Sequence, residues 1–121
     1  MPEIIRVPKP WGEERHWALT DRYAGKLLVI EAGRRLSLQY HEHKEESILL
    51  LEGTLRLHLA DEHGTLTVRE LRPGDAAHIP VGRLHRFEAV DRVVLVEVSS
   101  PELDDVVRVE DDFGRRGTSA P

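Results

Sequence analysis

The densest set of chemically versatile side chains lies at Leu38-Gln39-Tyr40-His41-Glu42-His43-Lys44-Glu45-Glu46. Residues two apart on a strand share a face, so a strand here presents Gln39, His41 and His43 together and turns Tyr40 and Glu42 the other way. A tight connection to a following antiparallel strand brings the Glu46 carboxylate toward the same pocket. Two neutral imidazoles and a carboxylate suit Zn, Fe, Mn, Co or Ni, whereas Ca and Mg prefer all-oxygen shells. An isolated His-x-His is also common on surface strands. A second segment adds weight here: Gly74-Asp75-Ala76-Ala77-His78-Ile79-Pro80-Val81-Gly82-Arg83-Leu84-His85 carries a Pro-x-Gly turn that presents His85 at the start of the next strand.

The elements that must position these groups are short runs rich in Val, Ile and Leu, at 4–7, 27–30, 36–40, 48–51, 55–59, 66–71, 76–79 and 93–98, punctuated by Gly, Pro or Asp. Such spacing predicts an all-β sandwich or barrel. Only 101–108 offers a turn or two of helix, with Pro101 at a tolerated first position and Glu102 near the positive end of the dipole. In 55–59 the leucines alternate with Arg56 and His58, which predicts one core face and one wetter face. The runs 27–30 and 48–51 are apolar throughout, as in strands covered on both faces within a double-layered barrel or at a subunit contact. Turns are expected at Glu52-Gly53-Thr54, Asp61-Glu62-His63-Gly64 and Arg72-Pro73-Gly74-Asp75. His16, His58 and His63 read as surface or structural histidines. Trp11 and Trp17 read as N-terminal side chains packed on the barrel rather than as platforms for a sugar. The stretch 114–121 has no apolar residue to anchor it and is expected to be disordered.

The chain of 121 residues is sized for a single domain with one core. It contains no cysteine, which excludes disulfides, thiolate metal sites and a cysteine nucleophile. A formal charge of −5 argues against a general nucleic-acid binder. No apolar run is long enough to span a membrane, and the start MPEIIRVPKPWGEE lacks the order of a signal peptide. A cytoplasmic domain is the expectation.

The two segments resemble the paired motifs of the cupin superfamily. In the first, His41-Glu42-His43 precedes Glu46, and Gly53 follows at the required spacing, with Gly33 as the opening glycine. In the second, Gly74, Pro80, Gly82 and His85 match, while Ala89 replaces the final asparagine. The resemblance implies a single-domain double-stranded β-helix, or jelly roll, spanning 1–113, with an N-terminal arm over about 1–24, a barrel over about 25–99 and a C-terminal segment at 100–113. A narrower resemblance runs from Lys9 to Arg115. Lys9-Pro10-Trp11-Gly12, Leu36-Ser37-Leu38-Gln39-x-His41-x-His43-Lys44-x-Glu46, Ile79-Pro80-x-Gly82-x-x-His85-Arg86, Glu97-Val98, Asp104-Asp105-Val106-Val107-Arg108 and Asp111-Asp112-Phe113-Gly114-Arg115 are similar to the type II mannose-6-phosphate isomerase domain. Ser99, Leu103 and Ala89 depart from that pattern, standing where the family has glutamine, glutamate and asparagine.

This resemblance implies a metal-dependent isomerase that interconverts mannose 6-phosphate and fructose 6-phosphate. His41, His43, Glu46 and His85 would hold one divalent transition metal (Zn, Mn, Fe, Co or Ni), and Gln39 would be a further ligand or a hydrogen bond to the sugar. A base must move a proton between adjacent carbons, for which Glu46 and His78 are the candidates. Arg86, Arg83, Lys9 or Arg108 would bind the phosphate, Arg86 first because it follows His85. The alternative is a metal-binding cupin without isomerase activity, either a module for a small sugar or ligand or a non-haem iron oxygenase. The expected partners are a small sugar phosphate and a second copy in a homodimer, with neither nucleic acid nor membrane.

Overall fold

A computed structural model describes residues 3–115 and 117–118. Strands β1 (Ile5–Lys9), β2 (Gly12–Leu19), β3 (Ala24–Ile30), β4 (Leu38–Tyr40), β5 (Glu46–Glu52), β6 (Leu55–Ala60), β7 (Leu66–Leu71), β8 (Ala76–Ile79), β9 (His85–Ala89), β10 (Val93–Ser99), β11 (Val107–Glu110) and β12 (Gly117–Thr118) form two antiparallel sheets. The first has the order β1-β2-β3-β10-β5-β8, the second β12-β11-β4-β9-β6-β7. From β3 onward the chain passes repeatedly from one sheet to the other, which makes the jelly roll. Among the described residues there is no helix. The helical turn expected over 101–108 is replaced by turns that end at Val107, where the backbone pairs with β4 instead.

The core fills the space between the sheets. Leu28, Ile30, Ile48, Leu50, Val93 and Leu95 from the first sheet meet Leu55, Leu57, Leu71, Phe87 and Ala89 from the second, and Trp11 is buried among them. The alternation read in 55–59 holds: Leu55 and Leu57 are buried, while His58 bonds Glu88 on the other face at 2.8 Å. Of the two doubly apolar runs, 27–30 buries Val29 as well as Leu28 and Ile30. In 48–51, Leu49 and Leu51 stand exposed on the outer face of β5 at 40% and 45%.

Gly53, in the β5–β6 turn, has φ +86°, and a Cβ there would collide with the Arg92 carbonyl, so two independent constraints require glycine. At the end of the chain, the expected disordered stretch begins with two described residues. Gly114 donates to the Asp111 carbonyl, and the Arg115 guanidinium pairs with the Asp111 carboxylate at 2.9 Å. Gly117–Thr118 pairs with β11, whereas Arg116 and residues 119–121 lie outside the described residues.

Candidate metal centre

Three side chains converge between the sheets. Glu46 opens β5 and its register partners, Ser99 and Ile79, lie on the inner face. His85 opens β9 opposite Gln39 on one side and Leu59 on the other. His41 follows directly on β4. The ligand-capable atoms of His41, Glu46 and His85 lie within 4.8 Å of one another, and all three residues are buried.

The hydrogen bonds on the far side of each ring fix its chemistry. Nδ1 of His41 lies 2.5 Å from the Asp105 carbonyl, and Nδ1 of His85 lies 2.8 Å from the Arg83 carbonyl. A carbonyl only accepts, so each Nδ1 carries a proton, and Nε2 is the nitrogen left to offer a lone pair when the ring is neutral. Both Nε2 atoms are buried and make no aligned hydrogen bond. They face one oxygen of Glu46, Oε1, at 3.5 Å and 3.1 Å, while Oε2 faces the Lys44 ammonium at 3.3 Å. Two imidazole nitrogens and one carboxylate oxygen within 4.8 Å of one another, with a protein carbonyl behind each imidazole, make a donor set that fits a divalent transition metal.

Burial alone would raise the pKa of Glu46, but Lys44 and the two histidines outweigh it and hold the carboxylate well below its usual range. Lys44 is itself held charged by Glu97 and Glu46 despite its burial. Glu97 lies 3.2 Å from Lys44. Its burial, together with the negative charge of Glu46, pushes its pKa up to about 7, against the pull of Lys44 and Lys26.

A cavity of about 50 Å³ opens onto His41 and Glu46, lined among others by Trp11, Lys26, Gln39, Lys44, Glu97 and Arg115. Glu14 lies along the same wall, bonded to His16 at 2.8 Å and to Lys26 at 3.3 Å.

The sequence expectations fare unevenly against this geometry. Of the four expected ligands, His41, Glu46 and His85 come together and His43 does not. Strand β4 stops at Tyr40, and the Asp105 carboxylate takes the N–H groups of Glu42, His43 and Lys44 at 2.9, 2.6 and 2.7 Å. The strand alternation is thereby lost: His43 is exposed, and Lys44 turns inward. Burial would raise the Asp105 pKa, but the three amide donors keep it low. Gln39 is inside, opposite His85, with its Oε1 accepting from Ser37 at 2.6 Å.

His78 does not reach the pocket. Its side chain is 53% exposed and bonds Glu45 at 2.6 Å. Arg86 also faces away, because Phe87 and His85 take the inner face of β9; it is buried with its Nε donating to the Leu36 carbonyl at 2.8 Å. Arg83 lines a separate surface hollow with Ala60 and Asp61. Lys9 and Arg108 are the two expected cations that neighbour residues lining the cavity. Arg108 pairs with Gln39 in register, and Lys9 feels the charges of Glu14, Lys26, Arg115 and Arg108, with burial lowering its pKa. Trp11 is buried and lines the cavity, whereas Trp17 lies over Gly25 on the outside.

Sequence reasoning passed over Glu97, Lys26, Glu14 and Asp105 as site residues. The first two carried a signal: Lys26 shares strand parity with Leu28 and Ile30, and Glu97 with Val93 and Leu95, so each is a charge set on a core face. Asp105 stands in the Asp104-Asp105-Val106-Val107-Arg108 string, but it lies 64 positions beyond His41 and no strand alternation assigns it to the site.

A jelly roll that encloses two imidazoles and a carboxylate between its sheets is a cupin. Residues 3–111 match the model of the family described as mannose-6-phosphate isomerase C-terminal, and the chain belongs to that family. It is 34% identical over 114 residues to mannose-1-phosphate guanylyltransferase ManC of Salmonella typhimurium, covering 90% of this chain and 23% of that protein. It is 30% identical over 119 residues to the alginate biosynthesis protein AlgA of Pseudomonas aeruginosa, covering 94% and 24%. The chain thus spans about a quarter of the length of these curated relatives. Among solved structures, oxalate decarboxylase from Bacillus subtilis superposes with a TM-score of 0.79 at 16% identity, covering 88% of this chain and 30% of that one. KdgF from Halomonas sp. superposes with a TM-score of 0.70 at 20% identity, covering 84% and 89%. At these identities the likeness is one of fold. No helix among the described residues is long and apolar enough to cross a membrane.

Proposed function

We propose that this chain is a metal-dependent aldose–ketose isomerase converting mannose 6-phosphate to fructose 6-phosphate. The observation that carries the reading is the pair of buried Nε2 atoms facing one oxygen of Glu46, in a chain whose family is described by that isomerase. A divalent ion held by His41, Glu46 and His85 supplies Lewis-acid polarisation of the substrate's oxygens. Lys44 fixes the second oxygen of Glu46, leaving the first for the ion. With Glu46 committed to the centre, His78 outside, Asp105 bound to three backbone amides and Glu14 paired with His16 and Lys26, Glu97 is left as the carboxylate to move a proton between adjacent carbons. Lys26 and Arg115 line that cavity, with Lys9 and Arg108 within electrostatic reach of Arg115, and these are the cations a phosphate would meet.

A cavity of about 50 Å³ holds a few waters but not a hexose phosphate. On the isomerase reading the pocket must widen to admit substrate. The same small volume favours the second reading, a metal-binding cupin that takes a smaller ligand without isomerising a sugar.

The test is direct. Purified protein supplied in turn with Zn, Mn, Co and Fe is given mannose 6-phosphate, and fructose 6-phosphate is assayed by a coupled enzyme. Turnover supports the isomerase, and its absence with every metal removes it. His41→Ala combined with His85→Ala should leave no stoichiometric metal by elemental analysis. Glu97→Gln should retain the metal and lose at least about a hundredfold in kcat.

A homodimer belongs to the same proposal. Leu27, Val96, Leu49 and Ala76 form a row across the outer face of the first sheet, with exposed Val98 beside it, an apolar face of the kind subunits cover.

A further inference from the structure

We infer that Asp105 is a positioning residue for the metal centre, holding His41 in the tautomer and orientation that a divalent ion requires. This rests on the metal reading of the site given above. Asp105 touches the His41 region with both of its oxygen-bearing groups. Its main-chain carbonyl accepts the Nδ1 proton of His41 at 2.5 Å, which leaves Nε2 as the nitrogen that faces Glu46. Its carboxylate accepts three successive backbone N–H groups, from Glu42 at Oδ1 and from His43 and Lys44 at Oδ2. The two contacts are coupled, because the carboxylate clamps the loop to the turn that carries the carbonyl. If it were removed, the carbonyl would no longer be fixed behind the imidazole, and three amide donors would have to find water.

The clamp also decides which side chains enter the pocket. An uninterrupted strand would send His43 inward with His41. The clamp instead breaks the alternation after His41, so that Lys44 reaches Glu46 and His43 faces solvent. On its other side, the His41 carbonyl accepts from Gly82 N–H at 2.8 Å. Gly82 has φ +79° in the Pro-x-Gly turn that presents His85. His41 is thus held between the turn that delivers the second imidazole and the C-terminal turn carrying Asp105. Hydrogen-bonded partners behind a ligating histidine commonly carry one to two orders of magnitude in metal affinity.

The experiment uses the 121-residue chain, stripped of metal and titrated with Co²⁺ by visible absorption and calorimetry. In parallel, long-range ¹H–¹⁵N spectra of the metal-free protein report the His41 tautomer. Asp105→Ala should weaken Co²⁺ binding by about 10- to 100-fold and move His41 from the pure Nδ1–H form to a mixture. Asp105→Asn, which keeps one acceptor oxygen, should fall between the two and serves if the alanine variant does not fold. Asp91→Ala removes a comparable carboxylate clamp on the Thr54 amide, away from the triad. It should lower stability while leaving Co²⁺ affinity within about twofold and the His41 tautomer as in the parent. Unchanged Co²⁺ affinity and an unchanged tautomer in both Asp105 variants would overturn the inference. A parent protein that binds none of Co²⁺, Zn²⁺ and Mn²⁺ overturns the metal reading and this role with it. That result is distinguishable, because the tautomer is read without metal.

Discussion

Glu46 illustrates how one carboxylate is divided between two tasks. Its Oε2 faces Lys44 and its Oε1 faces the two imidazoles, so the residue joins a buried ion pair to the candidate centre. Beyond it lie Glu97, Lys26 and Glu14, a row of alternating charges on the inner face of the first sheet. Buried charges persist only when paired, and breaking one pair leaves the partner uncompensated. Glu14 permits a test away from the triad. Burial would raise its pKa, but the His16 hydrogen bond and the charges of Lys26 and Lys9 bring it to about 2, against an ordinary value of 4.5. A folded pKa below the unfolded one means stability that is complete above 4.5 and lost as pH falls through 2. Glu14→Gln should therefore cost about 3 kcal/mol by thermal or denaturant unfolding at pH 7, with the gap to the parent closing as pH is lowered from 4.5 toward 2. A gap that stays constant over that range would contradict the pairing.

Among the elements, turns determine what the strands deliver. The Pro-x-Gly turn sets His85 at the head of β9, and the loop after β4 sets His41 and Lys44. The β5–β6 turn is the tightest of these, since Gly53 combines a left-handed φ with contact against Arg92. Gly53→Ala should lower stability by about 1–3 kcal/mol in denaturant melts. Gly64→Ala, also at positive φ but with open space around the Cβ position, should cost less. Equal losses would show that backbone strain alone, rather than the approach of the Arg92 carbonyl, accounts for the requirement at Gly53.

At the scale of the whole molecule, the outer face of the first sheet bears on assembly. Leu49, Leu51 and Val98 are each at least 40% exposed on that face of the single chain. On the dimer proposal, light scattering after size exclusion gives twice the chain mass for the parent, and Leu49→Glu gives the mass of one chain without unfolding. A monomeric parent would leave the apolar face needing another partner. The run 48–51 posed this question from sequence alone, because an apolar strand has the same pattern whether its second face meets a layer of the same barrel or another subunit.

By itself the sequence determined the all-β architecture, most strand positions and the three residues that converge. Alternation, turn residues and motif spacing are local properties, and the side-chain period of two fixes which residues of a strand face inward. The rule breaks at His43, whereas at Arg86 and His78 it holds and turns both side chains away from the pocket. Tertiary structure alone decided His43, because the Asp105 carboxylate, brought from a distant turn, ends the alternation that would have turned it inward. Arg86 is adjacent to His85 in sequence and on the opposite face of β9 in space. Glu97, Lys26 and Glu14 join His41 and Glu46 in one cavity only because β2, β3 and β10 lie side by side in the sheet. A charge on a core face is visible in the sequence. Its partner is set by the order of the strands, which no local pattern encodes.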